Sequence, residues 1–246
     1  MQLCNEIRGR THFAMRLIPV VYVRRNPIKL CCMQIDIVSD TVCPWCFIGK
    51  RRLARALALR PAVPVEVFWR PYRLDPTIPR EGVDRKAYMQ AKFGNNPNRA
   101  AMSEALRGEG ASEGIAFAFD RIARTPNTLD SHRLIRWAGG AGVQDALVER
   151  LFEAYFVEGR DIGDAGVLTD VAGAAGMDAT LVAELLSGDS DLAVVEREAG
   201  MANQMGISGV PTFIFDSTFM ISGAREPEIL VRVMDKALAA AVEAAG

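Results

Sequence analysis

The chain has 246 residues, half of them apolar, and a formal net charge of −1. That length supports a substantial core, while the near-neutral charge supplies no overall basic field for nucleic acid or an anionic membrane. No apolar run approaches a membrane-spanning length, so the class that remains acts on a small-molecule or protein substrate met in water.

Residues 1–32 stand apart from the rest. They carry Arg8, Arg10, Arg16, Arg24, Arg25 and Lys29 against one acid, Glu6, and their apolar stretch "LIPVVYV" is short and flanked by arginines. A secretory signal has a longer apolar region and a small-residue cleavage site. The expectation is an extension ahead of the folded domain, poorly ordered or a product of start-site choice. Cys4, Cys31 and Cys32 are then incidental.

Met33 opens the first convincing strand. "MQIDIVSD" alternates Ile35 and Ile37 with polar neighbours and ends in serine and aspartate, which reads as strand then turn. After Cys43-Pro44-Trp45-Cys46, "FIGKRRLARALALR" is rich in helix formers. Leu53 and Leu57 lie one turn apart, and Lys50, Arg51, Arg52 and Arg55 read as a solvated face. Pro61 and Pro64 end the helix, and "VPVEVFWRPYRL" predicts a second strand with Val65, Val67 and Trp69 on one face. Strand, helix, strand is a βαβ unit with the thiols at its first junction.

From 84 to 205 the patterns are helical. "ALVERLFEAYF" sets Leu147, Leu151 and Tyr155 on one stripe and Val148, Phe152 and Phe156 beside it. "GVLTDVAGAAGMDATLVAELL" reads as two short helices punctuated by Gly176, with Asp178 capping the second. "GEGASEG", residues 108–114, reads as a loop. With no strand signal of comparable strength, this region is expected to be an all-helical insertion.

The chain then returns to β structure. "GVPTFIFDSTFMISG" predicts a hairpin: Thr212 to Phe215, a turn at Asp216 and Ser217, and a return strand through Ile221. Pro227 opens a last helix by supplying a preset φ where no donor is needed. The expected class is α/β: a thioredoxin fold over 33–83 and 206–246, interrupted by a large all-helical insertion over 84–205.

None of the five cysteines lies beyond residue 46, so no disulfide can staple the remaining chain. That suits a reducing compartment, and the expected location is cytoplasmic. Zinc would need about four ligands. The only histidines are His12 and His132, and adjacent cysteines followed by a strand suit tetrahedral geometry poorly, so no metal is expected. Thiol–disulfide exchange needs an attacking thiolate and a second thiol to resolve the mixed disulfide. Cys43 would sit at a helix N-terminus, where unpaired N–H groups and the helix dipole favour the anion. Cys46 follows by nearly one turn, and Pro44 suits the first turn between them. Cys43 is thus the expected nucleophile and Cys46 the resolving thiol; a mere staple over so short a loop would constrain little chain entropy. Trp45 either shields the site or supports the fold, and Pro211 read by itself opens a strand.

Taken together, CPWC after a strand, "SGVPTF" before the hairpin and the helices between them resemble the DsbA-like thioredoxin superfamily. Within it the chain is similar to the FrnE-type disulfide oxidoreductases, relatives of 2-hydroxychromene-2-carboxylate isomerases and kappa-class glutathione transferases. The resemblance runs from Met33 to near the C-terminus and takes in "RPYRLDP", "NTLDSHRLIRWA", "LFEAYFVEGRDIGD" and "ISGAREPE". It implies a cis Val210–Pro211 bond against the sulfurs, with the main chain at Val210 pairing with an extended substrate. Pro44 and Trp45 would flank that substrate, and Asn127, Thr128 and His132 would line the mouth. The implied activity is disulfide exchange with a protein or small-molecule disulfide, without a bound cofactor. Glutathione is the one candidate co-substrate, and a homodimer is admitted. The alternative is a glutathione-dependent isomerase or transferase. Those relatives usually carry serine at the first active position and lack the paired cysteine, so Cys43 and Cys46 together favour exchange.

Overall fold

The computed structural model describes residues 32–94 and 96–244, and the expectation for 1–32 lies outside that range except at Cys32. Strand β1 (Met33–Ser39) sends Ile35 and Ile37 into the core. Helix α1 (Pro44–Ala58) begins inside the CPWC motif with Pro44 in its first turn, where the missing N–H costs nothing. It carries the chain to β2 (Val65–Pro71), which runs parallel to β1 with Ile35 opposite Val67 and Ile37 opposite Trp69. A parallel pair requires a crossover, and α1 supplies it.

The hairpin completes the sheet. Strands β5 (Thr212–Phe215) and β6 (Phe219–Ser222) pair antiparallel across a turn in which Asp216 and Ser217 both take positive φ. The strand order is β2-β1-β5-β6, so β1 and β5 are central and the thiols emerge from the middle of the sheet. The final helix (Pro227–Glu243) has Pro227 at its start and packs on α1 and β5.

Between β2 and the hairpin lie a short strand, β3 (Val83–Asp84), and helices α2 (Arg85–Phe93) and α3 (Arg99–Ser112). A second short strand, β4 (Arg124–Thr125), precedes α4 (Leu129–Ala141), α5 (Gln144–Phe156), α6 (Ala165–Ala174), α7 (Ala179–Ser187) and α8 (Leu192–Gln204), so the final helix is α9. The β3–β4 ladder pairs Val83 with Thr125 and is the exception to the all-helical expectation. Two-residue strands are too short to show alternation in sequence. Asp178 caps α7 by accepting from the N–H groups of Thr180 and Leu181, and Gly176 takes φ 91° ahead of it.

Two expectations are corrected. "GEGASEG" is not a loop: α3 runs through it to Ser112. A Cβ on Gly110 would lie 2.4 Å from the Phe117 ring, so that glycine permits close packing rather than breaking the helix. Nor is the basic face of α1 simply solvated. Lys50 and Arg52 are buried. Lys50 Nζ lies 2.9 Å from Asp145 and 3.0 Å from Glu149 on α5. Arg52 reaches Glu113, Glu109, Glu226 and the Ala224 carbonyl. Charge is visible in sequence; partners brought in by the fold are not.

A main core joins sheet and insertion, and a smaller cluster of Val38, Tyr72, Ala202 and Ile207 lies beside it. Both α5 stripes are fully buried, and Phe47 of α1 stacks on Phe152 at 5.1 Å and meets Phe117 edge-on. Burying each such side chain contributes about 1.5–3 kcal/mol. The helix that carries the cysteines is therefore held by the inserted helices as well as by the sheet.

Candidate active site

Past Ser39 the chain turns at Asp40–Val42, and Cys43 N–H donates to the Asp40 carbonyl at 3.0 Å. Cys43 is the N-cap of α1 with extended backbone (φ −95°, ψ 111°), and Cys46 N–H donates back to its carbonyl at 3.0 Å. Both cysteines are free thiols, Cys43 being 4% exposed and Cys46 fully buried. The Cys43 thiol donates to the Val210 carbonyl at 3.6 Å, and the Val210–Pro211 bond is cis. Pro44 is half-buried beside the pair, and Trp45 turns outward, 40% exposed.

Burial pushes the Cys46 thiol well above its ordinary range, and the neighbouring Cys43 raises it further. The Ser39 hydroxyl and the Asp40 main-chain N–H work in the opposite direction without reversing the shift. At neutral pH Cys46 is a protonated reserve.

Gly49, which carried no weight in the sequence, seats α1 on the proline loop. A Cβ there would lie 2.9 Å from Pro211 Cγ and 3.2 Å from Phe213 Cζ. Thr212 Oγ1 donates to the Gly209 carbonyl at 2.8 Å and lies 2.8 Å from Ser222 Oγ, bracing the same loop from β6.

His132 is buried on α4, its Nε2 2.9 Å from the Tyr72 carbonyl and 3.4 Å from Asp40 Oδ1. Asn127 donates from Nδ2 to the Ile78 carbonyl at 2.7 Å and accepts from Leu129 N–H at 3.0 Å. Both tie the segment after β2 to the start of α4. Asp40 and the Thr41–Ser131 hydroxyl pair, 2.8 Å apart, join the cysteine turn to the same helix. Sequence reasoning passed over these residues, although "SDTV" directly precedes the motif. A cavity of about 190 Å³ lined partly by Trp69, His132 and Gln144 includes neither thiol.

Residues 34–235 match the model of the DSBA-like thioredoxin domain. The chain is 27% identical over 205 residues to the uncharacterized protein YwbO of Bacillus subtilis (strain 168), covering 82% of this chain and 96% of that one. It superposes on a probable DsbA oxidoreductase from Streptomyces coelicolor with a TM-score of 0.75 and 31% identity, covering 83% and 89% of the two chains. Its likeness to a 2-hydroxychromene-2-carboxylate isomerase, TM-score 0.58 at 18% identity over 82% and 95%, is one of fold. Because the family match spans most of the chain and takes in both cysteines and the Val210–Pro211 loop, this chain belongs to the DSBA-like thioredoxin domain family.

Proposed function

We propose that the protein is a thiol–disulfide oxidoreductase in which Cys43 attacks and Cys46 resolves. The carrying observation is the asymmetry of the pair: Cys43 caps the helix against Val210, while Cys46 is wholly buried and held protonated. In the reducing direction, the Cys43 thiolate attacks one substrate sulfur, forming an S–S bond and expelling the other sulfur as thiolate. Cys46 then gives up its proton to solvent or to that thiolate and attacks Cys43, releasing the second substrate thiolate. Two electrons pass to the substrate, and Cys43–Cys46 becomes a disulfide; run backwards, the same steps oxidise a dithiol.

In this reading the Val210 carbonyl, which holds the Cys43 thiol in the free protein, becomes available to a substrate main chain once that thiol reacts. Trp45 and Pro44 flank the attacked sulfur. Asn127 and His132 shape the mouth through Ile78 and Tyr72, whose carbonyls they hold. The substrate is a disulfide of a protein or small molecule in the cytoplasm, with glutathione as a co-substrate that returns the pair to its starting state. A glutathione-dependent isomerase would have no task for the buried second thiol.

Insulin-disulfide reduction tests the mechanism. Cys43→Ser should abolish turnover, and Cys46→Ser should accumulate mixed disulfides on Cys43. Full activity in either variant overturns it.

A further inference from the structure

Asp40 meets the site through its main chain and its buried carboxylate. Its carboxylate is only 1% exposed, yet it receives a single hydrogen bond, from Leu74 N–H to Oδ2 at 2.7 Å. Oδ1 has no hydrogen-bond partner and lies 3.4 Å from His132 Nε2. Burying a carboxylate on so few donors is costly, and an ordinary turn would not need one. The main chain of the same residue touches both cysteines: its carbonyl accepts from Cys43 N–H, and its N–H faces the Cys46 sulfur. Around it, Tyr72 N–H donates to the Ser39 carbonyl at 3.0 Å, and His132 holds the Tyr72 carbonyl. The turn before CPWC is thereby pinned at one point to the segment after β2 and to α4.

We infer that Asp40 is a positioning residue of the dithiol: its carboxylate, held by Leu74 and set against His132, fixes the turn whose main chain seats Cys43 and Cys46. The inference rests on the exchange chemistry proposed above. The step it governs is resolution, in which the Cys46 sulfur must approach Cys43 in line with the departing sulfur. Misplacing reacting atoms by about 1 Å costs up to about a hundredfold in rate. A tether on the preceding turn, whose main chain meets both cysteines, sets that geometry without touching substrate.

Two substitutions separate the tether from the charge. Asp40→Asn keeps an acceptor within reach of Leu74 N–H and removes the charge. Asp40→Glu keeps the charge and moves the acceptor by one methylene. Mixing the reduced protein with 5,5′-dithiobis(2-nitrobenzoate) releases a coloured thiolate as Cys43 attacks, in a phase that scales with reagent, as does any release by Cys4, Cys31 and Cys32. A second follows as Cys46 resolves, in a phase that does not. The second phase should slow about ten- to a hundredfold in Asp40→Glu and stay within about threefold of wild type in Asp40→Asn. Asp40→Ser, too short to reach Leu74, should slow like Asp40→Glu and replaces it where the longer side chain prevents folding. A second phase unchanged in the displaced-acceptor variants overturns the inference. So does equal slowing in Asp40→Asn, which would assign the effect to the charge. A wild-type protein that keeps the reagent's thiol on Cys43 and never forms the Cys43–Cys46 disulfide instead overturns the exchange mechanism, and this inference with it.

Discussion

Arg52 Nε donates to Glu113 Oε1 at 3.0 Å between α1 and the C-cap of α3, with the two side chains 6% and 2% exposed. Burial works against the Arg52 charge, but Glu113, Glu109 and Glu226 outweigh it and hold the guanidinium above its ordinary pKa. Breaking a buried pair leaves an uncompensated charge, which costs about 3–5 kcal/mol. Glu113→Gln should fall at the low end, about 3 kcal/mol, because Glu109 and Glu226 still face Arg52. Arg51→Ala, on a partly exposed pair with Glu149, should cost less than about 1 kcal/mol. Urea midpoints compare them, and equal losses would mean that the buried pair does not lock α1 to the insertion.

Glycine-to-alanine changes on two helices should have opposite signs. At Gly49 the added methyl meets Pro211 and Phe213, and overpacking of about 1–3 kcal/mol exceeds the gain in helix propensity of about 1 kcal/mol. At Gly108 a Cβ meets nothing within 4 Å, so Ala should stabilise by up to about 1 kcal/mol. Thermal denaturation reads both. A more stable Gly49→Ala protein would show that α1 does not seat closely on the proline loop.

Iodoacetamide should discriminate between the thiols. In the folded, reduced protein at neutral pH, Cys43 should be carboxamidomethylated well before Cys46, which is buried and protonated. Peptide mass mapping after short exposure checks the order, and urea should erase the difference. Labelling of Cys46 first would reverse the assigned roles.

Alkaline pH should weaken the reduced form selectively. The Cys46 pKa is raised above the unfolded value of about 9, so above that pH the unfolded chain releases a proton that the folded chain retains. The associated stability is complete below about pH 9 and falls as pH rises towards the folded value, by up to about 1.4 kcal/mol per pH unit. Tyr155, raised by burial from 10.0 to about 12, adds a loss of the same sign between those two pH values in either redox form. The Cys43–Cys46 disulfide lacks the thiol contribution. Tm measured from pH 8 to 10 should therefore fall more steeply for reduced than for oxidised protein, and parallel curves would contradict the buried-thiol account.

Local features were legible where neighbours in sequence carry the physics. The Ile35 and Ile37 alternation, the proline openings of α1 and α9, the Asp178 cap and the two α5 stripes are short-range patterns, and each marks an observed element. "GEGASEG" misled because glycine signals both chain breaking and close approach, and only Phe117 lying against Gly110 distinguishes the two. Lys50 and Arg52 misled for a similar reason: their acidic partners lie on α3 and its C-cap, on α5 and in the turn before α9.

By itself the sequence determined a βαβ unit with two cysteines at its first junction, a helical middle and a closing hairpin, because backbone propensity and apolar period act over a few residues. Tertiary structure decided which thiol is wholly buried, what Gly49 must accommodate, and how Asp40, Leu74 and His132 come together behind the cysteine turn. Those depend on burial and on contacts between residues 34 to 167 positions apart, which no local pattern encodes.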